Sequence, residues 1–205
     1  MATMQDLDLV GGHVALDFAN TGSLDDRPPS ERLAAYPDLV TFAVRTELVG
    51  ERRAADLLAL AEREPARAAA VLSRARVLRD VLDRVFTGVA NTGRPEEADI
   101  SALNEFLAEG MRYRRLEPDE RCCGWTWSAG DEPLAQMLWP IANAAAELLV
   151  GGDLDRVKQC GNDTCAWLFV DLSRNRSRRW CDMKECGNRA KARRHYARRK
   201  DSPPD

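Results

Sequence analysis

Four of the six cysteines in this 205-residue chain lie in one short segment, residues 160–186. Cys160 and Cys165 form one C-x4-C pair, and Cys181 and Cys186 form a second pair after fifteen intervening residues. Four thiolates from two such pairs can surround one ion tetrahedrally and leave no open coordination position, which is typical of a structural zinc site. Four unrelated buried cysteines would not explain the matched spacing. The sequence therefore predicts one structural zinc ion per chain, bound by these four cysteines.

The remaining two cysteines, Cys122 and Cys123, are adjacent in the chain. Side chains of neighbouring strand residues point to opposite faces, so these thiols are not expected to pair with each other or to bind one metal together. We expect one of them in the core and the other at a sheet edge. Nothing in the sequence indicates an oxidising compartment, so structural disulfides are not expected, and the role of this pair stays open.

The elements around the zinc pairs must bring them together. The run AWLFVDLSRNRSRRW between the pairs predicts an apolar strand, a polar turn and a second short strand. After Cys186, Gly187 allows a sharp turn, Asn188 is a good helix cap, and RAKARRHYARRK contains no helix breaker. The order of knuckle, hairpin, knuckle and helix is that of a treble-clef-like finger, although such fingers usually space their cysteines C-x2-C.

Charge is distributed unevenly along the chain. Residues 156–200 hold 14 Lys and Arg against 4 Asp and Glu, a net charge of +10, so the remainder, with 16 basic and 29 acidic residues, has a net charge of -13. A basic block that coincides with the cysteine cluster favours a module that binds nucleic acid through its phosphates. The predicted nucleic-acid contacts are Arg174, Arg176, Arg178, Arg179, Arg189, Lys191, Arg193, Arg194, Tyr196, Arg198, Arg199 and Lys200.

The predicted helix after Asn188 has a basic side and a narrow apolar side. Arg189, Arg193, Tyr196 and Lys200 fall within about sixty degrees of one another on a helix of 3.6 residues per turn. The hairpin could pack on Ala190 and Ala197, which leaves the basic stripe facing outward. One or two arginines, with Arg179 and Arg189 as the candidates, are expected to neutralise the doubly negative zinc tetrathiolate instead.

The first 150 residues have mostly helical patterns. From Pro65 onward, apolar residues recur at steps of three and four with charged residues between them, which predicts a long amphipathic helix. Similar stripes occur in DLVTFAVRTELV, in ISALNEFLAEG with a stop at Gly110, and in PLAQMLWPIANAAAELLVGG, where Pro140 must kink or begin the helix. CCGWTWS predicts a strand, and HVALDFAN is ambiguous.

These patterns predict a mainly α protein in two modules. We expect a helical domain with minor β structure at residues 1–152, a small zinc finger made of a β-hairpin and a helix at 153–200, and a disordered tail at 201–205. Gly151 and Gly152 form the natural linker between the modules.

Two motifs resemble known families. CAWLFVDLSRNRSRRWCDMKECGNR resembles the CGNR-type zinc finger, whose hallmark, a fourth cysteine followed by Gly, Asn and Arg, is matched at 186–189. LDFANT at 16–21 resembles the start of the helical ABATE domain that usually precedes this finger, with Ala19 where Val is more common. The resemblance implies a bacterial protein from a family regarded as stress-related transcription regulators.

Three classes of function are compatible with a zinc finger that carries a basic surface. A transcription regulator would bind DNA through the finger, while the helical domain would form a homodimer or bind a small-molecule effector. An RNA- or ribosome-associated zinc protein would use the same basic surface without reading sequence. An enzyme is disfavoured because the sequence has no phosphate loop, nucleophile motif or open metal site.

One weak candidate for a small-molecule pocket lies near the N-terminus. It consists of His13, Asp17, Asn20 and Arg45. Polar residues of this kind more often cap secondary-structure elements or form a buried polar link. This structural role is the alternative to a ligand pocket.

Composition and segment lengths bear on location. Hydrophobic residues make up 44% of the chain and charged residues 31%, as in an ordinary soluble protein. The N-terminal residues are acidic where a signal peptide needs basic ones, and the uncharged run at 133–146 is too short to span a bilayer. We therefore expect a cytoplasmic protein that does not bind membranes.

Overall fold

The computed structural model describes residues 3–22, 31–120, 122–128, 130–152 and 154–193. Within these ranges the chain is mainly helical, as predicted. The helices are α1 (Val14–Ala19), α2 (Tyr36–Arg45), α3 (Glu51–Arg63), α4 (Pro65–Thr92), α5 (Glu97–Gly110) and α6 (Leu138–Val150). Among the described residues, no helix combines the length and the apolar character needed to cross a bilayer.

The predicted long helix is α4, which begins at Pro65 and ends before Gly93. Gly93 has a φ of 80°, the left-handed conformation that terminates many helices. Pro140 lies in the first turn of α6, so it begins that helix and does not kink it. The ambiguous HVALDFAN segment forms α1.

Helix α3 was not predicted from the sequence. Only two of its residues, Ala54 and Leu57, are buried, because the helix lies at the surface and packs on α2 through a narrow apolar edge. Its apolar residues Ala54, Leu57, Leu58 and Ala61 do recur at helical spacing, so the sequence carried a signal for this helix that the predictions for the first 150 residues overlooked.

The predicted strand at CCGWTWS is β2 (Cys122–Trp127), which pairs antiparallel with β1 (Arg114–Asp119). Leu116 lies opposite Trp125 in this ribbon. Both Cys122 and Cys123 are exposed, so the expectation that one of them would be buried in the core is wrong.

A second small hairpin supports the cysteine cluster. It consists of β3 (Val157–Gln159) and β4 (Leu168–Val170), paired antiparallel with Val157 opposite Val170. The partner of β4 therefore precedes Cys160, and the second strand predicted after the polar turn does not form. The hairpin encloses the first cysteine pair instead of spanning the two pairs.

The helices and this hairpin share one hydrophobic core. Val157, Leu168 and Val170 are buried in the same cluster as Phe18 of α1 and Phe86 of α4. Burial of such side chains stabilises the fold by roughly 1.5–3 kcal/mol each. The boundary at residue 152 stays a prediction, but the strands that follow it contribute directly to the core of the helical region.

Candidate metal centre and basic surface

The four cysteines of the two C-x4-C pairs converge, as predicted. Their sulfur atoms all lie within 4.8 Å of one another. The Sγ of Cys181 lies 3.6 Å from that of Cys165 and 3.6 Å from that of Cys186. Four sulfurs about 2.3 Å from a central zinc ion would be about 3.8 Å apart in a tetrahedron. The cluster therefore has the size and the donor set for one zinc ion, and Cys160, Cys181 and Cys186 are buried.

The first cysteine pair lies in the loop that joins β3 to β4. The Cys160 amide donates to the Trp167 carbonyl at 2.8 Å, which continues the hairpin ladder beyond its last strand residue. The Asn162 carbonyl accepts from the Cys165 amide at 2.8 Å, so a tight turn directs both sulfurs inward. Gly161 donates to the Arg179 carbonyl at 2.8 Å, and a Cβ at Gly161 would come within 3.1 Å of that oxygen.

The second cysteine pair lies where the finger helix begins. The side chain of Asp182 caps this helix by accepting from the Lys184 amide at 2.7 Å. The first turn, Met183–Gly187, is a π-turn, closed by the Gly187 amide on the Asp182 carbonyl at 3.0 Å. Asn188, predicted as the cap, lies inside the helix, which continues through residues 188–193.

The wide π-turn accounts for the second C-x4-C spacing. It accommodates four residues between Cys181 and Cys186 and still keeps their sulfurs 3.6 Å apart. Gly187 is buried in this turn, and a Cβ there would clash with the Met183 sulfur and come within 3.2 Å of Trp180. A side chain at this position would therefore crowd the turn that carries the fourth ligand.

Hydrogen bonds between the thiols of the cluster shift their pKa values in opposite directions. Hydrogen bonds from the Cys165 and Cys181 thiols lower the pKa of Cys160. The same bonds to Cys160 raise the pKa of Cys165 and of Cys181, because a donor must keep its proton. Several thiolates can therefore coexist here only with a cation between them, and a bound zinc ion would supply that charge.

A buried carboxylate that sequence analysis missed orders the loop between the pairs. Asp171 follows β4 and is fully buried. It accepts from the Lys158 ammonium at 2.6 Å, from the Ser173 amide at 2.9 Å and from the Arg178 amide at 2.9 Å. Its signal in the sequence is that it is the only acidic residue between Asp163 and Asp182, a stretch with four arginines. The loop is thereby wrapped around one anion.

Arg178, a predicted nucleic-acid contact, is used inside the protein. Its guanidinium lies 4.3 Å from the ring centre of Phe169 and donates to the Val10 carbonyl at 3.1 Å. It also donates to the backbone carbonyls of Trp180 and Cys181. This side chain therefore links the N-terminal segment to the second cysteine pair and has little capacity left for a phosphate.

The other predicted contacts within the described residues are exposed. They are Arg174, Arg176, Arg179, Arg189, Lys191 and Arg193. Arg176 forms an ion pair with Asp155. Arg193 donates to the Asn162 side chain in the first cysteine loop and lies 3.8 Å from the Asp163 carboxylate. Arg194, Tyr196, Arg198, Arg199 and Lys200 lie outside the described residues, as do the seam residue Ala197 and the tail.

Arg189 is one of the two arginines expected to neutralise the zinc site. Partial burial alone would lower its pKa, but the nearby Cys186 thiolate and the Glu185 carboxylate raise the pKa of Arg189. It pairs with Glu185 at 2.9 Å on the exposed side of the helix. Ala190, beside it, is buried, as predicted for the apolar seam. Arg179 instead stacks on the Trp180 ring at 5.4 Å.

An open groove of about 810 Å³ runs beside the second cysteine pair. Its walls come from the N-terminal segment, through Leu9 and Gly12, and from residues 177–184. Arg179 and Lys184 both line it, and within the described part of the chain neither forms an ion pair. The groove therefore offers the cations of Arg179 and Lys184, together with the Asp182 carboxylate, next to the apolar surface of Trp180.

The residues of the weak pocket candidate each bind backbone groups. Nδ1 of His13 accepts from the Ala15 amide and caps α1, and Asp17 accepts from the Gly11 amide at 2.8 Å. Arg45 donates to the carbonyls of Met4 and Leu7. Asn20 pairs with the backbone of Leu168 through both amide atoms. This arrangement favours the structural interpretation over a shared ligand pocket.

Comparisons with known families agree with this geometry. Residues 12–152 match the ABATE family, whose description is "Putative stress-induced transcription regulator", and residues 156–199 match the CGNR zinc finger. The two matches confirm the resemblance carried by the LDFANT and CGNR motifs. No curated protein matches the chain significantly.

Proposed function

Because this chain belongs to the ABATE family and carries a CGNR zinc finger, we propose that it is a zinc-dependent regulator that binds DNA through the finger. The four-cysteine cluster leaves no open coordination position for a substrate, so the proposed role of zinc is to hold the finger together. The helical region would supply dimerisation or effector binding, which is the usual division of labour in a regulator.

The groove between Leu9 and the second cysteine pair carries this proposal. Arg179, which precedes Cys181 in the chain, and Lys184, which follows it, both line this groove. Neither is in an ion pair with another described residue. Phosphate oxygens of a nucleic acid are suitable partners for two such cations, and neutralising them releases bound counterions. Arg189 and Lys191 on the finger helix extend the exposed basic surface.

The use of Arg178 and Arg193 within the fold narrows the candidate surface. Both were predicted as nucleic-acid contacts, yet Arg178 binds backbone carbonyls and Arg193 binds Asn162. Arg176 is set aside as well because it pairs with Asp155. The proposed contacts among the described residues are therefore Arg174, Arg179, Lys184, Arg189 and Lys191. Lys184 was not among the contacts predicted from the sequence, and we include it because it lines the groove.

The proposal is tested by selecting duplexes from a random pool with the zinc-loaded full chain and measuring affinity against salt. Replacing both Arg179 and Lys184 by Ala should reduce the slope of log affinity against log salt by about two. The matched control replaces Arg52 and Arg63, two exposed arginines of α3, and should keep the parent slope.

Two outcomes would overturn the proposal. One is that the Arg179 and Lys184 double variant keeps the parent slope on every duplex. The other is that the parent binds a structured RNA more tightly than any selected duplex at physiological salt, which would favour the RNA- or ribosome-associated function instead.

A further inference from the structure

The β1–β2 ribbon carries two thiols that the zinc finger does not use. The Sγ atoms of Cys122 and Cys123 lie 3.7 Å apart, and both residues are exposed. Adjacent side chains on a regular strand point to opposite faces. Here Cys122 has a φ of 137°, which non-glycine residues rarely adopt, and its amide donates to the Asp119 carboxylate at 3.0 Å. The irregular start of β2 thus brings both sulfurs to one place.

This separation suits bent coordination by two thiolates. Two sulfurs 3.7 Å apart, each about 2.3 Å from a shared atom, subtend an angle of about 107° there. Linear coordination at the same bond length would need a separation of about 4.6 Å. The geometry therefore fits a soft atom with a tetrahedral or pyramidal arrangement of bonds.

The number of donors narrows the ligand further. Among the described residues, three or more metal-ligating side chains converge at the finger cysteines but not at Cys122 and Cys123. The ribbon pair therefore offers two donors. A structural zinc ion needs four ligands. A trivalent arsenical that already bears one carbon substituent needs only two thiolates, so the ribbon pair is complete for it.

One face of the ribbon beside the pair carries large apolar side chains, although the Asp119 carboxylate lies next to Cys122 and the Arg114 guanidinium lies 4.8 Å from the Trp125 ring centre. Cys123 and Trp125 occupy alternate positions of β2 and so share one face of the ribbon, where Leu116 is the cross-strand partner of Trp125. Trp125 is 61% exposed and Leu116 is 59% exposed. An aryl group on the bound atom could lie against these side chains and remove apolar surface from water.

We propose that Cys122 and Cys123 form a chelating site for a trivalent organoarsenical, separate from the zinc site. In this reaction two arsenic–sulfur bonds form and the arsenic–oxygen bonds break. The two thiol protons leave with the oxygen as water, so no oxidant or reductant is needed. A bidentate adduct resists competition by a monothiol, because one released thiolate is held beside the arsenic and rebinds.

The probe for the test is phenylarsine oxide, added to the zinc-loaded full chain and followed by native mass spectrometry. The parent should gain one phenylarsenic group with zinc retained. The adduct should survive excess glutathione and be removed by a small dithiol. Cys122→Ser and Cys123→Ser should each lose at least tenfold in affinity, because one thiolate cannot chelate.

Trp125→Ala provides a readout that the chelate alone would not give. It should weaken phenylarsine oxide binding while leaving the binding of inorganic arsenite unchanged, because only the aryl group contacts the indole. The proposal fails if the parent takes up no adduct, if the single cysteine variants bind as the parent does, or if uptake occurs only with loss of zinc. If Trp125→Ala weakened the binding of phenylarsine oxide and of arsenite equally, the proposed contact between the aryl group and Trp125 would be wrong.

Discussion

Asn20 and Leu168 are 148 residues apart in the chain, yet the Asn20 side chain forms two hydrogen bonds with the Leu168 backbone. Its Nδ2 donates to the Leu168 carbonyl and its Oδ1 accepts from the Leu168 amide, both at 2.9 Å. The pairing replaces a missing strand neighbour of β4. Nearby, the Val170 amide donates to the Gly11 carbonyl at 2.8 Å. Asn20 therefore attaches the β3–β4 hairpin to the helical region.

Replacing Asn20 by Ala should destabilise the whole protein. The variant loses two buried hydrogen bonds and leaves both Leu168 backbone groups without their partner, at a cost of about 2–4 kcal/mol. Urea unfolding of the zinc-loaded protein measures the change. Asn104→Ala, at an exposed site on α5, is the control and should shift stability by less than about 0.5 kcal/mol. Equal effects of the two substitutions would contradict the role assigned to Asn20.

The sequence predicted the elements whose burial is periodic and missed the contacts that join distant segments. Helix α4 could be predicted because its buried positions recur at helical spacing along 28 residues. The role of Asn20 could not, because a single Asn has no periodicity and its partner is a backbone group far along the chain. The same is true of Asp171. Its structural role depends on hydrogen-bond donors from a loop, and that loop takes its shape only by folding around this carboxylate.

At the candidate site, the sequence predicted the metal ligands but not the strand pairing or the contacts of Arg178, for a related reason. Ligand identity follows from cysteine spacing, so the four thiols were found directly. The hairpin was paired wrongly because β4 has apolar residues but no sign of which neighbour it takes, and its partner precedes Cys160. An arginine that binds within the fold and one that faces solvent look alike in sequence, so the sequence could not show that Arg178 stacks on Phe169.

Removal of one cluster cysteine should release the metal, whereas removal of a ribbon cysteine should not. Cys186→Ser is expected to lose zinc, since three thiolates with one hydroxyl bind far more weakly than four thiolates. Cys123→Ser should retain about one equivalent, because its thiol lies outside the cluster. Metal content after gel filtration gives the answer. Zinc retained by Cys186→Ser at the parent level would show that this cysteine is not a ligand.

Asp171→Asn should weaken the finger at neutral pH. Burial alone would raise the pKa of the Asp171 carboxyl, but hydrogen bonds from Lys158, Ser173 and Arg178 hold that pKa below its ordinary value. Because the folded pKa is depressed, the charge stabilises the fold above pH of about 4 and loses this effect as pH falls further. The stability difference between parent and variant should therefore shrink below about pH 4. A difference that stays constant from pH 7 to pH 3 would contradict this.

Asp17 should show the opposite dependence on pH. Burial raises the pKa of Asp17 to about 6, although the Gly11 hydrogen bond and the Arg45 charge act against it. The folded state then holds the proton more tightly than the unfolded state, so ionisation costs stability as pH rises from about 4 to about 6. Asp17→Asn keeps an oxygen acceptor for Gly11 and removes this cost.

The variant Asp17→Asn should consequently gain about 1–3 kcal/mol relative to the parent between pH 4 and pH 7. Chemical denaturation at a series of pH values measures this relative change. Asp56→Asn, on the exposed side of α3, is the control and should track the parent at every pH. If the Asp17 variant tracked the parent in the same way, the raised pKa would be disproved.

Arg193 and Lys191 lie two residues apart on the finger helix and should behave differently when truncated. Arg193 contacts the first cysteine loop through Asn162, so Arg193→Ala should lower the melting temperature and zinc retention together with any DNA affinity. Lys191 is exposed, and Lys191→Ala should leave zinc and melting temperature unchanged while it weakens all duplexes alike and lowers the salt slope by about one. Zinc competition with a chelator and duplex binding against salt separate the two effects. If Arg193→Ala kept zinc and lost only its preference for the selected sequence, Arg193 would contact bases and the contact to Asn162 would not be needed for the fold.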